Sequence, residues 1–165
     1  MHKVNDRPEG VAVTQVLVGL VLLTVLSLTV YFLFCPCRQL PGMFLLGDAV
    51  EDPVTDWSFA NSVPLCQVQV KPGTLPHAVN LNCMSAGGAL YLSCMNCSDK
   101  VWSNAALASP DARLRLGEQV SPVHLARVLE PEQLDVAWQA RAEKVGRRPA
   151  GPRPEHWWSF AVTSR

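Results

Sequence analysis

Residues 65–95, LCQVQVKPGTLPHAVNLNCMSAGGALYLSCM, alternate between apolar and polar side chains along three short runs. Successive side chains of a strand point to opposite faces, so a period of two predicts half-buried strands. Pro72 and Pro76 mark a turn after the first run, and Gly87-Gly88 marks a hairpin after the second. The stretch therefore predicts a three-stranded antiparallel meander with short connections.

The segment that follows the meander is predicted to form a short helix and a further strand. Alternation stops at residues 98–110, where Ser98 is a candidate N-cap and Pro110 prevents extension, so two helical turns are expected. Alternation resumes in residues 112–117, with Arg113 and Arg115 facing away from the apolar side chains. The pattern thus changes from strand to helix and back to strand.

The last third of the chain adds two more strands around a second helix. Pro122 interrupts the alternating residues 119–130, which indicates an edge or a bulge. A helix is expected from Pro131 to Val145, because Leu134, Trp138, Arg141 and Val145 are spaced along one helical stripe. HWWSFAVTS at 156–164 predicts a closing strand. The order β-β-β-α-β-β-α-β favours a mainly β (α+β) fold, a small antiparallel barrel with two short helices, over residues 65–165.

An uncharged apolar run, residues 11–34, precedes this domain after a tail at residues 1–10. A helix of this length spans about 36 Å, enough to cross a hydrocarbon core of about 30 Å. The alternative is a cleaved signal peptide, but the exit YFLFCPC lacks the small residues that a signal peptidase requires. A single transmembrane helix in contact with membrane lipid is therefore expected, followed by an irregular lead-in at residues 35–64 onto which Trp57 and Phe59 pack.

The charge balance argues against one class of function, and the basic residues beside the apolar run predict how the chain is oriented in the membrane. The chain has 14 basic and 14 acidic side chains, a balance that does not support nucleic-acid binding. Lys3 and Arg7 precede the apolar run, whereas Arg38 alone follows it closely. The positive-inside rule then predicts a cytoplasmic N-terminus and a domain on the exported side of the membrane.

Six cysteines leave several kinds of chemistry open. Cys35 and Cys37 lie at the membrane exit, where palmitoylation or intermolecular bridging is conceivable. Cys66 and Cys83 sit within apolar alternation and are expected to be small core residues. The remaining pair, in the C-M-N-C motif, is considered separately because its spacing carries chemistry of its own.

Cys94 and Cys97 form a C-x-x-C pair. In an exported domain this pair is expected to form a disulfide, and in a cytosolic one a redox pair or half of a metal site. Because a second C-x-x-C is missing and no His lies close in sequence, a zinc site is not expected.

Residues 87–117, GGALYLSCMNCSDKVWSNAALASPDARLRLG, resemble the FMN-binding split-barrel proteins, which include pyridoxamine-phosphate oxidases and deazaflavin-dependent nitroreductases. The pattern is Gly, an apolar-aromatic strand, Ser-x-Lys, a short helix, a stop and an alternating strand. The resemblance extends over roughly residues 65–130 and more weakly over the last strand. It implies a split β-barrel in which the flavin phosphate and ring edge lie against Ser98 and Lys100.

The resemblance also implies cofactor contacts from the neighbouring strands. Where the oxidases place Arg and Lys on the second strand, the matching stretch PHAVNLNC offers His77 and Asn82. Ser93 on the next strand is a further expected contact. The cofactor implied is FMN or a deazaflavin, and the family implies a homodimer with the pocket at its interface.

The residues themselves give a physical case for cofactor binding. Lys100 beside the free N–H groups of a helix N-terminus supplies both charge and geometry for a phosphate, and Trp102 could close over a planar ring. The alternatives are that Ser98 only caps the helix, Lys100 is a solvated charge and Trp102 is a core anchor. His124 lies in an apolar strand and is expected to be a satisfied core residue.

Two functions of different classes follow. The first is a membrane-anchored flavin or deazaflavin reductase acting on a small acceptor such as a quinone or nitro-compound, in which hydride transfer is the chemistry of the cofactor. The second is a non-catalytic barrel that binds a ligand or partner near the membrane. Thiol redox through the C-x-x-C pair is a third, weaker alternative. A Ser-His-Asp order, a P-loop and a dinucleotide glycine fingerprint are absent from the sequence.

Overall fold

The computed structural model describes residues 9–34, 41–147 and 151–165. Helix α1, Glu9–Phe34, contains an apolar stretch, Val13–Tyr31, that is long enough to cross a membrane and is not buried against the rest of the described chain. The helix meets the requirement for a membrane span by its length and composition, which a signal sequence near an N-terminus shares. Cys35 and Cys37 lie outside the described residues.

Within residues 41–147 and 151–165, seven strands and two further α-helices follow α1 in the order that the alternation predicts, with one strand added before the meander. The strands are β1 Asp48–Ala49, β2 Cys66–Val70, β3 His77–Ala86, β4 Ala89–Met95, β5 Asp111–Leu116, β6 Gln119–Arg127 and β7 Trp157–Ser164, and the helices are α2 Val101–Ala108 and α3 Pro131–Lys144.

Six of the strands close into an antiparallel barrel. Their order is β6-β5-β2-β3-β4-β7, and β7 pairs with β6 to complete the ring. Hairpins join β3 to β4 and β5 to β6, α2 connects β4 to β5, which are not neighbours, and α3 connects β6 to β7, whose pairing closes the barrel. The mainly β barrel with two short helices, preceded by an apolar helix, is confirmed.

Pro122 occupies a position where the outer partner of β6 changes. Val120 pairs with Ala49 of β1, and Val123 is the first residue of β6 that pairs with β7. Because proline has no N–H to donate, it is tolerated in the gap between these two partners. The edge position expected from the sequence is therefore explained by a switch of strands rather than by a free sheet edge.

The barrel interior is filled by the inward side chains of every barrel strand and by α2. Cys66, Val68 and Val70 are buried as the alternation predicts, and the polar side chains between them are less buried. Trp102 of α2 enters the same core and packs against Phe160 of β7, with ring centroids 5.1 Å apart. Helix α2 thus closes one end of the barrel.

Helix α3 covers the outside of the barrel through a face that agrees only in part with the predicted stripe. Its buried residues are Ala137, Ala140 and Ala142, and the first two pack with residues of β3, β4 and β7. Leu134 and Trp138 are partly buried against the same cluster. Val145 lies beyond the end of the helix and is exposed, and Arg141 lies over the Trp138 ring. The predicted stripe is therefore confirmed for Leu134 and Trp138 and corrected for Arg141 and Val145, because the fully buried face consists of small alanines that allow the helix to approach the sheet closely.

The lead-in is more ordered than an irregular segment. Asp48–Ala49 forms a parallel pair with β6, and Ser58–Ser62 forms a short 3-10 helix. Trp57 is buried in the barrel core, as expected, whereas Phe59 stacks on it and stays largely exposed. The lead-in therefore belongs to the structure of the domain from its first described residues.

Cys66 and Cys83 are core residues, as expected, but they are also joined in a disulfide between β2 and β3, with Cα atoms 5.8 Å apart. The pairing was not evident in the sequence because 17 residues separate the two thiols. Among the described residues, all four cysteines are in disulfides.

Candidate functional site

The C-x-x-C segment positions the residues of the expected cofactor site. Cys94 at the end of β4 and Cys97 are joined in a disulfide, with Cα atoms 5.5 Å apart. Between them Asn96 adopts the left-handed conformation, with φ 51°, which turns the chain sharply. Cys97–Asp99 then forms one 3-10 turn that leads into α2. The disulfide therefore fixes this turn against the barrel end.

Lys100, rather than Ser98, occupies the N-cap position of α2. Its backbone is extended, and its carbonyl oxygen accepts hydrogen bonds from the Asn104 N–H and the Ser103 hydroxyl. The expected Ser98 cap is corrected, because the 3-10 turn takes up that residue before the helix begins. The N–H groups of the first helical turn have no intrahelical acceptors, so Lys100 stands beside a partial positive charge.

The charges at this turn nearly cancel. Ser98, Asp99 and Lys100 are all exposed, and the Ser98 hydroxyl donates to the Asp99 carboxylate at 3.1 Å. One lysine and one aspartate are thus adjacent at the start of α2. The turn offers a single cation and the helix N–H groups, which suits one charge-assisted contact better than a dianion that needs several cations.

Asn82 and Ser93 are brought together, but on a different part of the barrel surface. They are directly opposite each other in the β3–β4 register, so both side chains lie on the outer face. Ser93 is buried, and its hydroxyl has a weak contact with the Met84 sulfur at 3.9 Å. Asn82 is partly exposed. The pair forms a neutral polar patch beside the residues that α3 covers.

His77 lies five positions before Asn82 in β3, about 17 Å along the strand, and points to the opposite face. It opens β3 opposite Val70 of β2. Partial burial holds the pKa of the His77 imidazole below its ordinary value, because burial disfavours the charged form. The structure therefore does not bring His77 and Asn82 into one contact set within the described chain.

Trp102 lies inside the barrel, with 2 % of its surface exposed. Its indole N–H is buried and has no hydrogen-bond partner among the described residues. The ring therefore serves as a core anchor, in line with the alternative considered from the sequence, and its faces are occupied by barrel side chains such as Phe160.

The burial of His77 has a consequence for pH stability. The unfolded chain takes up a proton at the ordinary histidine pKa near 6.5, whereas the folded chain does so at a lower pH. Stability is therefore expected to fall as the pH drops through 6.5 towards the folded pKa. In His77→Asn this loss should be reduced, as measured by urea unfolding at pH 7.5 and 5. The exposed His156→Asn serves as control, and an equal pH response in wild type and His77→Asn would contradict the assignment.

Lys144 makes buried contacts that the sequence does not predict. Its ammonium donates to the Ala60 carbonyl at 2.8 Å and to the Cys83 carbonyl at 2.5 Å, and it lies 3.6 Å from the Cys83 sulfur. Burial lowers the pKa of this lysine. The side chain ties the end of α3 to the lead-in and to β3, a role that no local pattern signals.

Two further side chains differ from or add to the expectations. His124 is exposed on the outer face of β6 and contacts the Asp111 carboxylate at 3.3 Å, so it is not the core residue that was expected. In β6 the His124 side chain points to the face opposite that of the buried Val123 and Leu125.

The Arg127 guanidinium stacks over Trp158, 3.7 Å from the ring centroid. In the part of the chain that the structure describes, His, Cys, Asp and Glu do not cluster as metal ligands.

The sequence matches no protein-family profile and no curated protein. Solved structures, in contrast, resemble the barrel. A pyridoxamine 5'-phosphate oxidase candidate from Listeria innocua superposes with a TM-score of 0.54 at 10% identity, over 65% of this chain and 88% of that protein. A FAD-binding protein from Mesorhizobium loti superposes with a TM-score of 0.50 at 13% identity, over 64% of this chain and 84% of that protein.

A 5-nitroimidazole antibiotic resistance protein candidate from Bacteroides thetaiotaomicron is also similar, with a TM-score of 0.50 at 12% identity, over 70% of this chain and 81% of that protein. The chain therefore has the six-stranded split-barrel fold of these proteins. At such low identity the likeness defines the fold, and the activity has to be argued from the residues of this chain.

Proposed function

We propose that this protein is a membrane-anchored split-barrel oxidoreductase that binds a flavin or deazaflavin beside the start of α2 and acts on a small acceptor such as a quinone or nitro-compound. The observation that carries the proposal is the position of Lys100 next to the first-turn N–H groups of α2, on a turn held by the Cys94–Cys97 disulfide. The flavin-type fold of the similar structures supports it.

The residues fit one anionic group of such a cofactor. Lys100 would make a charge-assisted contact, the helix N–H groups would add to it, and the Ser98 hydroxyl could turn from Asp99 to the ligand. A bound flavin or deazaflavin supplies the hydride transfer. The protein would bind and orient the ring and would not need to supply an acid or base.

A second copy of the chain would complete the proposed site. Ser98, Asp99 and Lys100 lie on an open surface, and the neighbouring Met95 and Val101 expose apolar side chains. A ring held there by one chain would face water on its other side. We infer a homodimer in which these apolar residues are covered, and sedimentation of the purified protein with and without cofactor would show whether it forms.

Both disulfides support placing the barrel on the exported side of the membrane. Disulfides persist in oxidising compartments and are rare in the cytosol. The Cys66–Cys83 and Cys94–Cys97 pairs both lie in the barrel, and helix α1 precedes it. This agrees with the orientation that the basic residues before the apolar run predict. The helix would bring the barrel close to acceptors dissolved in lipid.

Lys100→Ala is expected to weaken cofactor binding about ten- to a hundredfold, because loss of a charge-assisted contact costs about 1.5–3 kcal/mol. Its effect on the apo melting temperature should be small, since the side chain is exposed. Arg147→Ala, which removes an exposed cation just after α3, is the matched control. Fluorescence titration with FMN and with a deazaflavin at low salt measures both affinities, and equal binding by wild type and Lys100→Ala would contradict the site.

One observation favours the second candidate, a non-catalytic binding barrel. The expected basic contacts are replaced by His77, whose pKa is lowered, and by the neutral Asn82, while Asp99 opposes Lys100. Wild-type protein that binds neither FMN nor a deazaflavin would select this candidate.

A further inference from the structure

We propose that the end of the barrel nearest to α1 carries a binding site for the phosphate headgroup of an anionic phospholipid. The site is the groove between β2, β5 and the end of the chain, here called the basic groove, with a volume of about 270 Å³. Lys71, Arg113 and Arg165 line it together with one carboxylate, Asp111. The inference rests on the membrane anchoring in the proposed function but is independent of cofactor binding.

Hydrogen bonds place the described lead-in at the end of α1. The Leu33 carbonyl oxygen, in the last turn of the helix, accepts from the backbone N–H groups of both Met43 and Phe44 at 3.1 Å. The apolar stretch ends at Tyr31, so Leu33 lies about 3 Å further along the helix axis. The polar headgroup layer is about 5–8 Å thick on each side of a bilayer. Leu33 and its partners therefore fall within the headgroup layer when the helix spans the membrane.

The same segment is held against the basic groove. Gly42 and Ala78 exchange two backbone hydrogen bonds of 2.8 Å, which brings the start of β3 and the preceding β2–β3 turn, residues 71–76, to this level. The Arg113 guanidinium donates to the Leu45 carbonyl at 3.3 Å. The groove is thus joined to the end of α1 through residues 42–45.

The chemistry of the groove fits a lipid headgroup. Lys71 is exposed, and Arg165 is exposed but paired with the Asp111 carboxylate at 2.6 Å, which His124 also contacts at 3.3 Å. Because Arg165 offsets the charge of Asp111, Lys71 and Arg113 supply the positive charge that the described lining of the groove offers to an anion. Leu75, which is 63 % exposed at the tip of the adjoining turn, adds an apolar side chain suited to the boundary with the acyl chains.

The test uses full-length protein reconstituted in vesicles that contain equal amounts of phosphatidylglycerol and phosphatidylcholine. After mild extraction, the lipids that remain bound are counted by mass spectrometry. We expect wild type to retain phosphatidylglycerol preferentially by about tenfold or more. Each of the substitutions Lys71→Gln and Arg165→Gln should lower that ratio about fivefold, the usual effect of one basic residue at an anionic surface. Arg147→Gln, an exposed cation after α3, should leave it unchanged.

Several outcomes would overturn the inference. A ratio near one for the wild type would contradict the groove. So would an unchanged ratio in a Lys71→Gln/Arg165→Gln double variant whose melting temperature is also unchanged. Displacement of phosphatidylglycerol by inorganic phosphate at equal concentration would show a site for free phosphate instead. Loss of all variants from the vesicles on carbonate washing would contradict the anchor as well. Retention in the vesicles without lipid preference would contradict the groove alone.

Discussion

Trp102→Ala is expected to lower the free energy of unfolding by about 3–5 kcal/mol, the usual cost of removing a buried large aromatic side chain. The ring closes one end of the barrel, is almost completely buried and packs against Phe160. Its removal leaves a cavity among core side chains from several strands. Urea unfolding of full-length protein in detergent measures the change.

Trp102→Phe is the matched control for this prediction. It keeps an aromatic ring in the core, and the indole N–H that it removes finds no hydrogen-bond partner in the part of the chain that the structure describes. Its loss of stability should therefore be clearly smaller than that of the alanine variant. If Trp102→Ala instead kept wild-type stability and lost cofactor binding, Trp102 would be a ligand contact rather than the core anchor.

Loss of the Cys66–Cys83 disulfide is expected to cost about 3 kcal/mol in a Cys66→Ala/Cys83→Ala variant, because the bond closes a loop of about 17 residues in the unfolded chain. The same relation gives roughly half that value for the Cys94–Cys97 pair, whose separation is three residues. Urea unfolding of the two double variants compares them under the same conditions.

The state of the thiols provides a direct check on the same prediction. Protein isolated from its native compartment under alkylating conditions should show no labelling of these four cysteines until a reductant is added. Complete labelling without a reductant would contradict both disulfides and the exported location. A Cys66→Ala/Cys83→Ala variant as stable as wild type would show that the bond does not constrain the chain.

The barrel strands could be predicted because their information is local. In residues 65–95 the alternation fixes which side chains face the core, and proline and glycine mark the turns, so β2, β3 and β4 are where the pattern places them. The end of α2 at Ala108 follows in the same way from Pro110.

The features that were missed depend on contacts between distant parts of the chain. β1 has two residues and forms only because Gln119 and Val120 are available as parallel partners. The buried face of α3 consists of alanines, whose hydrophobic signal is weaker than that of the neighbouring Leu134 and Trp138. The 3-10 turn Cys97–Asp99 is not marked by any periodicity. Because of this turn the helix cap is Lys100 rather than the predicted Ser98.

The candidate site was predictable in part. Ser-x-Lys before a short helix could be read from residues 98–102, and the structure places Lys100 at the helix start. The separation of His77 from Asn82 is predictable from the sequence, because residues an odd number of positions apart in a strand point to opposite faces. The burial of Trp102 and the contacts of Lys144 required the closed barrel, because their partners lie on other elements.

The visible absorption spectrum of full-length protein, purified from membranes in mild detergent, tests the central claim most directly. A flavin- or deazaflavin-binding barrel should either retain the absorption band of its cofactor or acquire it in a saturable titration, with an altered band shape on binding. A colourless protein whose titration with FMN and with a deazaflavin gives only the sum of the separate spectra would contradict the proposed function.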